Sequence, residues 1–288
     1  LNSLRKAGWN MKKNMGIKLA YPVIEAGVEA DIMGMKALRG YDEVFAELHR
    51  MGYQAVELQV RNPENVDVAT LEAALARYQL TLAAIGTSPM QKLDHLFLLG
   101  RDRNRSDECF RRAENLVTLC AHFDAVMLVG KMRGTVEDEE DCRLTDLGRI
   151  IEKLAALASD KGVRIAIEPQ NPTNINNLHT FSETMTFIET LAVQPGTVGI
   201  HADLYHMEIS ETDMLESLKK YADAIRFIHI SDTERKVPGD GCMDYAQILA
   251  TLLVNGYKGF LSPEIRQLPD SRTAAERTIA FFNETQDV

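Results

Sequence analysis

The sequence lacks the features that mark several large protein classes. It has one tryptophan and four cysteines, and Cys109, Cys120, Cys142 and Cys242 form no CxxC pair. That spacing indicates neither a zinc knuckle nor a disulfide-stapled secreted fold, and reduced thiols fit a cytoplasmic protein. No apolar run approaches the roughly 20 residues that span a bilayer, which argues against membrane integration. No GxGxxG or GxxxxGK[ST] element follows a strand-like run, so nucleotide-binding open sheets have no support. Basic residues are in deficit: 32 Lys and Arg against 42 Asp and Glu give a net charge of -10, which opposes diffuse attraction to phosphate backbones. The expected partner is a small molecule, with no nucleic acid and no membrane.

What is present is a periodic chain. Hydrophobic residues make up 45% and charged residues 26% of its 288 positions, the balance of a globular domain. The opening LNSLRKAGWNMKKNMG is basic and lacks the apolar segment of a secretory signal, so residues 1–14 read as an N-terminal extension and 15–288 as one domain. Eight strand-like runs follow: IKLAY (17–21), QAVELQV (54–60), LTLAAIG (80–86), DAVMLVG (124–130), VRIAIEP (163–169), VGIHAD (198–203), IRFIHIS (225–231) and GFLSPE (259–264). Each is followed by a stretch of helical spacing, from YDEVFAELHRMG after the first to RTAAERTIAFF after the last. Eight βα units without a linker predict an α/β fold, a single (β/α)8 TIM barrel, with the doubly wound open sheet as the alternative. The acidic run EDEED (137–141) reads as a solvated loop or first helical turn.

In such a barrel the chemistry gathers at the C-terminal ends of the strands. The fifth run ends in Glu168, the sixth in Asp203, the seventh carries His229 and the eighth ends in Glu264, at separations of 35, 26 and 35 residues. About one βα unit lies between each pair, so the four side chains fall at one level of adjacent strands. Alternation agrees, because Ile165 and Ile167, Val198 and Ile200, and Ile228 and Ile230 occupy the parity opposite to these polar residues. Two glutamates, an aspartate and an imidazole form an oxygen and nitrogen donor set suited to Mn²⁺, Mg²⁺, Co²⁺ or Zn²⁺, and crowded carboxylates need a cation to offset their repulsion.

The segments IEPQNPTN, HADLYHMEIS, FIHISDTERKVPGDG and GYKGFLSPEI resemble those of the xylose-isomerase-like barrel superfamily, in particular its sugar phosphate isomerase/epimerase and ketose 3-epimerase branch. VGKMRG after the fourth strand is also similar, while the first half matches mainly in element order. The resemblance implies one divalent metal, Mn²⁺ foremost, bound by Glu168, Asp203, His229 and Glu264. It implies an acid/base pair in Glu168 and Glu264, and substrate contacts from His206 and Arg235. Pro238, Gly239 and Gly241 would shape the Arg235 loop. A metal chelating a carbonyl and its neighbouring hydroxyl lowers the energy of an enediolate, so the expected activity is sugar or sugar phosphate epimerisation or isomerisation. Homo-oligomerisation as a dimer or tetramer is also expected.

One departure from the branch is Asn174, where the ketose 3-epimerases place a second glutamate six residues after the strand-end ligand. Arg61, Lys131 and Arg133 follow the second and fourth strands and are further candidates to receive a phosphate or carboxylate of the substrate. Three rival readings accompany the isomerase. A dehydratase of a keto sugar or dehydroshikimate-type substrate shares the proton abstraction and adds loss of a β-hydroxyl. An apurinic endonuclease-like hydrolase requires further histidines that AIGTS, LVGKMRG and PGDGCMDY do not supply. A noncatalytic binding protein would use the metal set only as a sensor or structural site.

Overall fold

The computed structural model describes residues 17–137 and 143–286. The expected N-terminal extension, Cys142 and all of the acidic run except Glu137 lie outside the described residues. The strands are β1 Lys18–Ile24, β2 Met35–Lys36, β3 Ala55–Gln59, β4 Thr81–Gly86, β5 Val126–Val129, β6 Ile165–Ile167, β7 Val198–Asp203, β8 Ile225–Ile230 and β9 Phe260–Pro263. Each pairs in parallel with its neighbour from β3 through to β9, and β1 pairs with both β3 and β9. The result is a closed ring of eight parallel strands, a single (β/α)8 barrel, with the two-residue β2 added alongside β1.

The helices are α1 Asp42–Met51, α2 Val68–Arg77, α3 Arg103–Phe123, α4 Leu144–Asp160, α5 Phe181–Glu189, α6 Leu204–Ser210, α7 Met214–Lys220, α8 Tyr245–Val254 and α9 Ser271–Gln286. Their starts follow from local chemistry: Asp67, Asp102, Thr180, Asp213 and Asp244 each accept a backbone N–H of the first turn. Gly52 ends α1 at φ 103, a left-handed conformation in which its carbonyl-seeking N–H reaches back to Leu48 and His49.

Side-chain alternation sorts each strand between two apolar layers. Ile165, Ile167, Val198, Ile200, Ile228 and Ile230 belong to the large cluster between sheet and helices. Ala20, Ala55, Ala84, Val126, Leu128, Ala166 and Phe227 form a second cluster inside the ring. On this inner parity Ala55 precedes Glu57, Ala166 precedes Glu168 and Phe227 precedes His229 by two residues each. Apolar residues, alanine most often, therefore floor the barrel, and polar ones lie above them toward the C-terminal mouth.

The structure adds elements that periodicity does not signal. Helix α6 occupies the HADLYHMEIS segment, because Asp203 caps it through the N–H groups of Tyr205 and His206. Strand β1 continues to Ile24 through Pro22, which pairs in register with Glu57. No helix among the described residues is long and apolar enough to cross a membrane.

Candidate metal centre and active site

Four side chains converge at the mouth as their strand ends require. Asp203 and His229 are register partners across β7 and β8, and His229 pairs in turn with Ser262 on β9. Glu168 and Glu264 lie one residue beyond their neighbours' ladders, where their backbone N–H groups donate to Val129 and Ile230. One ligand atom from each of Glu168, Asp203, His229 and Glu264 lies within 4.8 Å of the others. A second grouping under the same limit joins Glu168, His201 and His229.

Electrostatics divide the carboxylates. Burial, reinforced by the charges of Asp203 and Glu264, pushes Glu168 up to about 8. Burial would raise Asp203 and Glu264 too, but the Arg235 guanidinium and His229 outweigh it and hold both below the usual carboxylate range. Arg235 donates from Nη1 to both Asp203 oxygens at 2.9 and 2.8 Å, lies 2.7 Å from Glu264 Oε2, and stacks on the Tyr205 ring at 4.4 Å.

His206 on α6 is buried, and both the backbone and side-chain N–H of Asn171 meet its Nδ1, at 3.4 and 2.9 Å. Its Nε2 lies 3.3 Å from Arg235 Nη2 and 3.8 Å from Glu168 Oε1. Burial lowers the pKa of His206. Behind the carboxylate, Gln170 Nε2 donates to Glu168 Oε2 at 2.5 Å, and a Cβ added at Gly130 would overlap that same oxygen. Gly130 thus leaves the cradle into which Glu168 folds.

The remaining candidates occupy different places. Asn174 is exposed on the loop after β6 and donates to Gln170 Oε1 at 3.5 Å, so it touches the site only through Gln170. Lys131 is exposed at the lip and lines a mouth cavity of about 820 Å³ together with Lys36, Lys92, Arg266 and Glu264. Arg61 points elsewhere: its guanidinium grips Asp94 at 3.0, 3.1 and 2.6 Å. Arg133 is fully buried and spends all five N–H groups internally, on Asn177 Oδ1 and on the carbonyls of Gly130, Glu168, Asn177 and Leu178. The expectation that Arg133 receives an anionic substrate group is corrected by that geometry, since no donor is left over. Arg133 instead ties the β5 and β6 loops together beneath Glu168.

Three buried polar residues escaped the sequence reading. Glu57 on β3 accepts from His229 Nε2 at 2.8 Å. Ser262 donates to the same Glu57 oxygen at 2.6 Å. His201 on β7 stacks edge-on to His229 with ring centroids 4.1 Å apart, and neither of its nitrogens has a hydrogen-bond partner among the described residues. The signal was available, because Glu57 and Gln59 are polar residues on the inward parity of a central strand, and His201 shares the parity of Asp203.

The donor set fits a divalent cation. His229 Nδ1 is buried without a hydrogen-bond partner and lies 3.5 Å from Asp203 Oδ2 and 3.7 Å from Glu264 Oε2. A lone nitrogen facing three carboxylates is a ligand constellation for a borderline or hard metal, and no cysteine among the described residues joins the group.

A family model described as the xylose isomerase-like TIM barrel matches residues 45–285. The chain belongs to that family. It is 28% identical over 213 residues to a ketose 3-epimerase of Arthrobacter globiformis, covering 72% of this chain and 71% of the relative. It is 23% identical over 290 residues to an inosose dehydratase of Clostridium perfringens, covering 89% and 92%. Its xylose isomerase-like barrel superposes on the solved apo structure of the 3-keto-D-glucoside 4-epimerase YcjR from E. coli with a TM-score of 0.77 at 18% identity, covering 93% of this chain and 99% of that one.

Proposed function

We propose that this protein is a divalent-metal-dependent ketose epimerase that moves a proton on and off the carbon beside a carbonyl, using Glu168 and Glu264. The observation that carries the reading is the pair of carboxylates from β6 and β9 that share one buried cluster with the unpartnered Nδ1 of His229. Similarity to a ketose 3-epimerase over about three quarters of the chain supports the same assignment.

Glu168, Asp203, His229 and Glu264 would hold the ion, which when bound supplies Lewis-acid stabilisation of negative charge on the substrate oxygens. The chain's own residues do the rest. One glutamate takes the α-proton and the other returns a proton to the opposite face, which inverts the carbon. His206 and Arg235, which border the cluster, would hold substrate oxygens. Lys131, with Lys36, Lys92 and Arg266 around the 820 Å³ mouth, offers positive charge to the far end of the substrate, which admits a phosphorylated sugar as well as a free one. Asn174 cannot accept as an anion, so hydroxyl binding on that side passes to Gln170 or is weaker.

The dehydratase is the second reading, favoured by the inosose dehydratase that matches 89% of the chain. It would use the same proton abstraction followed by expulsion of a β-hydroxyl. Incubating the Mn²⁺-loaded protein with a panel of free and phosphorylated ketoses and with inososes separates the two. Epimeric ketoses by NMR are expected; an enone absorbance from an inosose without any ketose turnover would replace the epimerase by the dehydratase.

A further inference from the structure

Glu57 is the one charged side chain of β3 that turns into the barrel, and it is completely buried. Burying a carboxylate is costly unless every lone pair finds a donor. Here Oε2 accepts from His229 Nε2 at 2.8 Å and from Ser262 Oγ at 2.6 Å, while Oε1 accepts from Gln59 Nε2 at 2.5 Å. The Gln59 amide is itself fixed, because its Oε1 accepts the backbone N–H of Ser88 at 3.1 Å. It also occupies the space a side chain would need at Gly86, where an added Cβ would stand 2.5 Å from Gln59 Nε2. The glycine, the two amide contacts and the serine hydroxyl thus lock the glutamate in one position.

A carboxylate in this setting only accepts, so the ring nitrogen facing it carries the proton. The neutral imidazole of His229 then has its lone pair on Nδ1. That is the atom without a hydrogen-bond partner, 3.5 Å from Asp203 Oδ2 and 3.7 Å from Glu264 Oε2. Carboxylates behind ligating histidines set tautomer and ring orientation in just this manner.

We infer that Glu57 is a positioning residue that fixes His229 as an Nδ1 ligand for the catalytic cation, with Ser262 and Gln59 holding Glu57 in turn. This inference rests on the divalent-metal reading given above. Glu57→Gln keeps the shape but gives the nitrogen a choice between two poor partners. Its NH₂ faces either the Gln59 amide nitrogen or His229 Nε2, and the latter forces the ring proton onto Nδ1. Calorimetric titration of the stripped variant with Mn²⁺ should give a dissociation constant weaker by about 10- to 100-fold than wild type, the range seen for such supporting partners, in a metal-free protein that still unfolds cooperatively on heating. An affinity within twofold of wild type in a folded variant overturns the inference. Should the variant not fold, wild-type protein labelled with ¹⁵N-histidine and titrated with Zn²⁺ answers the same question. One imidazole with its proton on Nε2 and its Nδ1 shifted by the metal is expected, and metal coordination through Nε2 overturns the proposal. A wild type that takes up no metal in either experiment defeats the divalent-metal reading itself, which distinguishes that failure from a failure of Glu57 alone.

Discussion

At the residue scale, the same chemical type performs different tasks according to what surrounds it. Arg235 and Arg133 are both buried arginines, yet Arg235 faces carboxylates at the mouth and Arg133 faces carbonyls beneath it. Arg133→Met would remove the guanidinium donors to Asn177 Oδ1 and to the carbonyls of Glu168 and Asn177, while the carbonyls of Gly130 and Leu178 keep the backbone N–H of residue 133 and of Gln170. Buried acceptors left unpaired cost on the order of 1–3 kcal/mol each, and partial relaxation brings the expected loss to roughly 3 kcal/mol or more. Denaturant unfolding should register that loss. If instead stability is unchanged and only KM for an anionic substrate rises, Arg133 is a substrate contact after all.

At the scale of elements, the barrel and the convergence of its four polar strand-end residues were legible because they depend on periodicity and spacing. Alternation placed Ile165 and Ile167 outside and Glu168 inside, and closure of the ring through β1 and β9 brought Glu264 beside the others. What stayed hidden depends on side-chain direction after the strand ends. Arg61 and Arg133 each sit two or more residues past a strand, where loop geometry rather than pleat decides the direction, and they turn to Asp94 and to the β6 loop. Glu57 lay in the open on its strand, but its role needs β8 and β9 as neighbours, a relation between residues 172 and 205 positions apart. Helix α6 was invisible to periodicity because at seven residues it owes its start to the Asp203 cap. Packing at the β5 end gives a direct test. Gly130→Ala adds a Cβ that would overlap the Glu168 carboxylate. The fold should persist while Mn²⁺ affinity and turnover both drop by about tenfold or more, as for a displaced ligand; unchanged affinity would mean that Glu168 is free to move aside.

At the scale of the whole molecule, the site is a concentration of buried charge that makes the fold sensitive to pH and metal together. Glu168 has a folded pKa raised to about 8, so the proton it binds on folding stabilises the metal-free protein below the unfolded carboxylate value near ~4.3, and that contribution is lost as pH rises through about 8. His229, also raised, acts in the same direction, whereas Asp203 and Glu264 are held low and are already ionised across this window. A cation replaces those protons, so its affinity rises with pH and binding releases protons. The difference in melting temperature between Mn²⁺-loaded and stripped protein should therefore widen from about pH 6 to about pH 8. At a hundredfold excess over the dissociation constant the metal contributes about 2.7 kcal/mol. Scanning calorimetry across that range checks it, and a gap that narrows with pH contradicts the assignment of Glu168 as a ligand.

Proton transfer between Glu168 and Glu264 is the claim on which the functional reading stands, and solvent isotope incorporation reads it directly. With the ketose that turns over, Mn²⁺-saturated wild type in D₂O should place deuterium at the inverted carbon of the product. Glu264→Gln at saturating Mn²⁺ should lower turnover by roughly 10²- to 10⁴-fold, the usual contribution of a general acid/base group. Product from wild type with no deuterium at that carbon, or near wild-type turnover by Glu264→Gln, would contradict a two-glutamate proton shuttle.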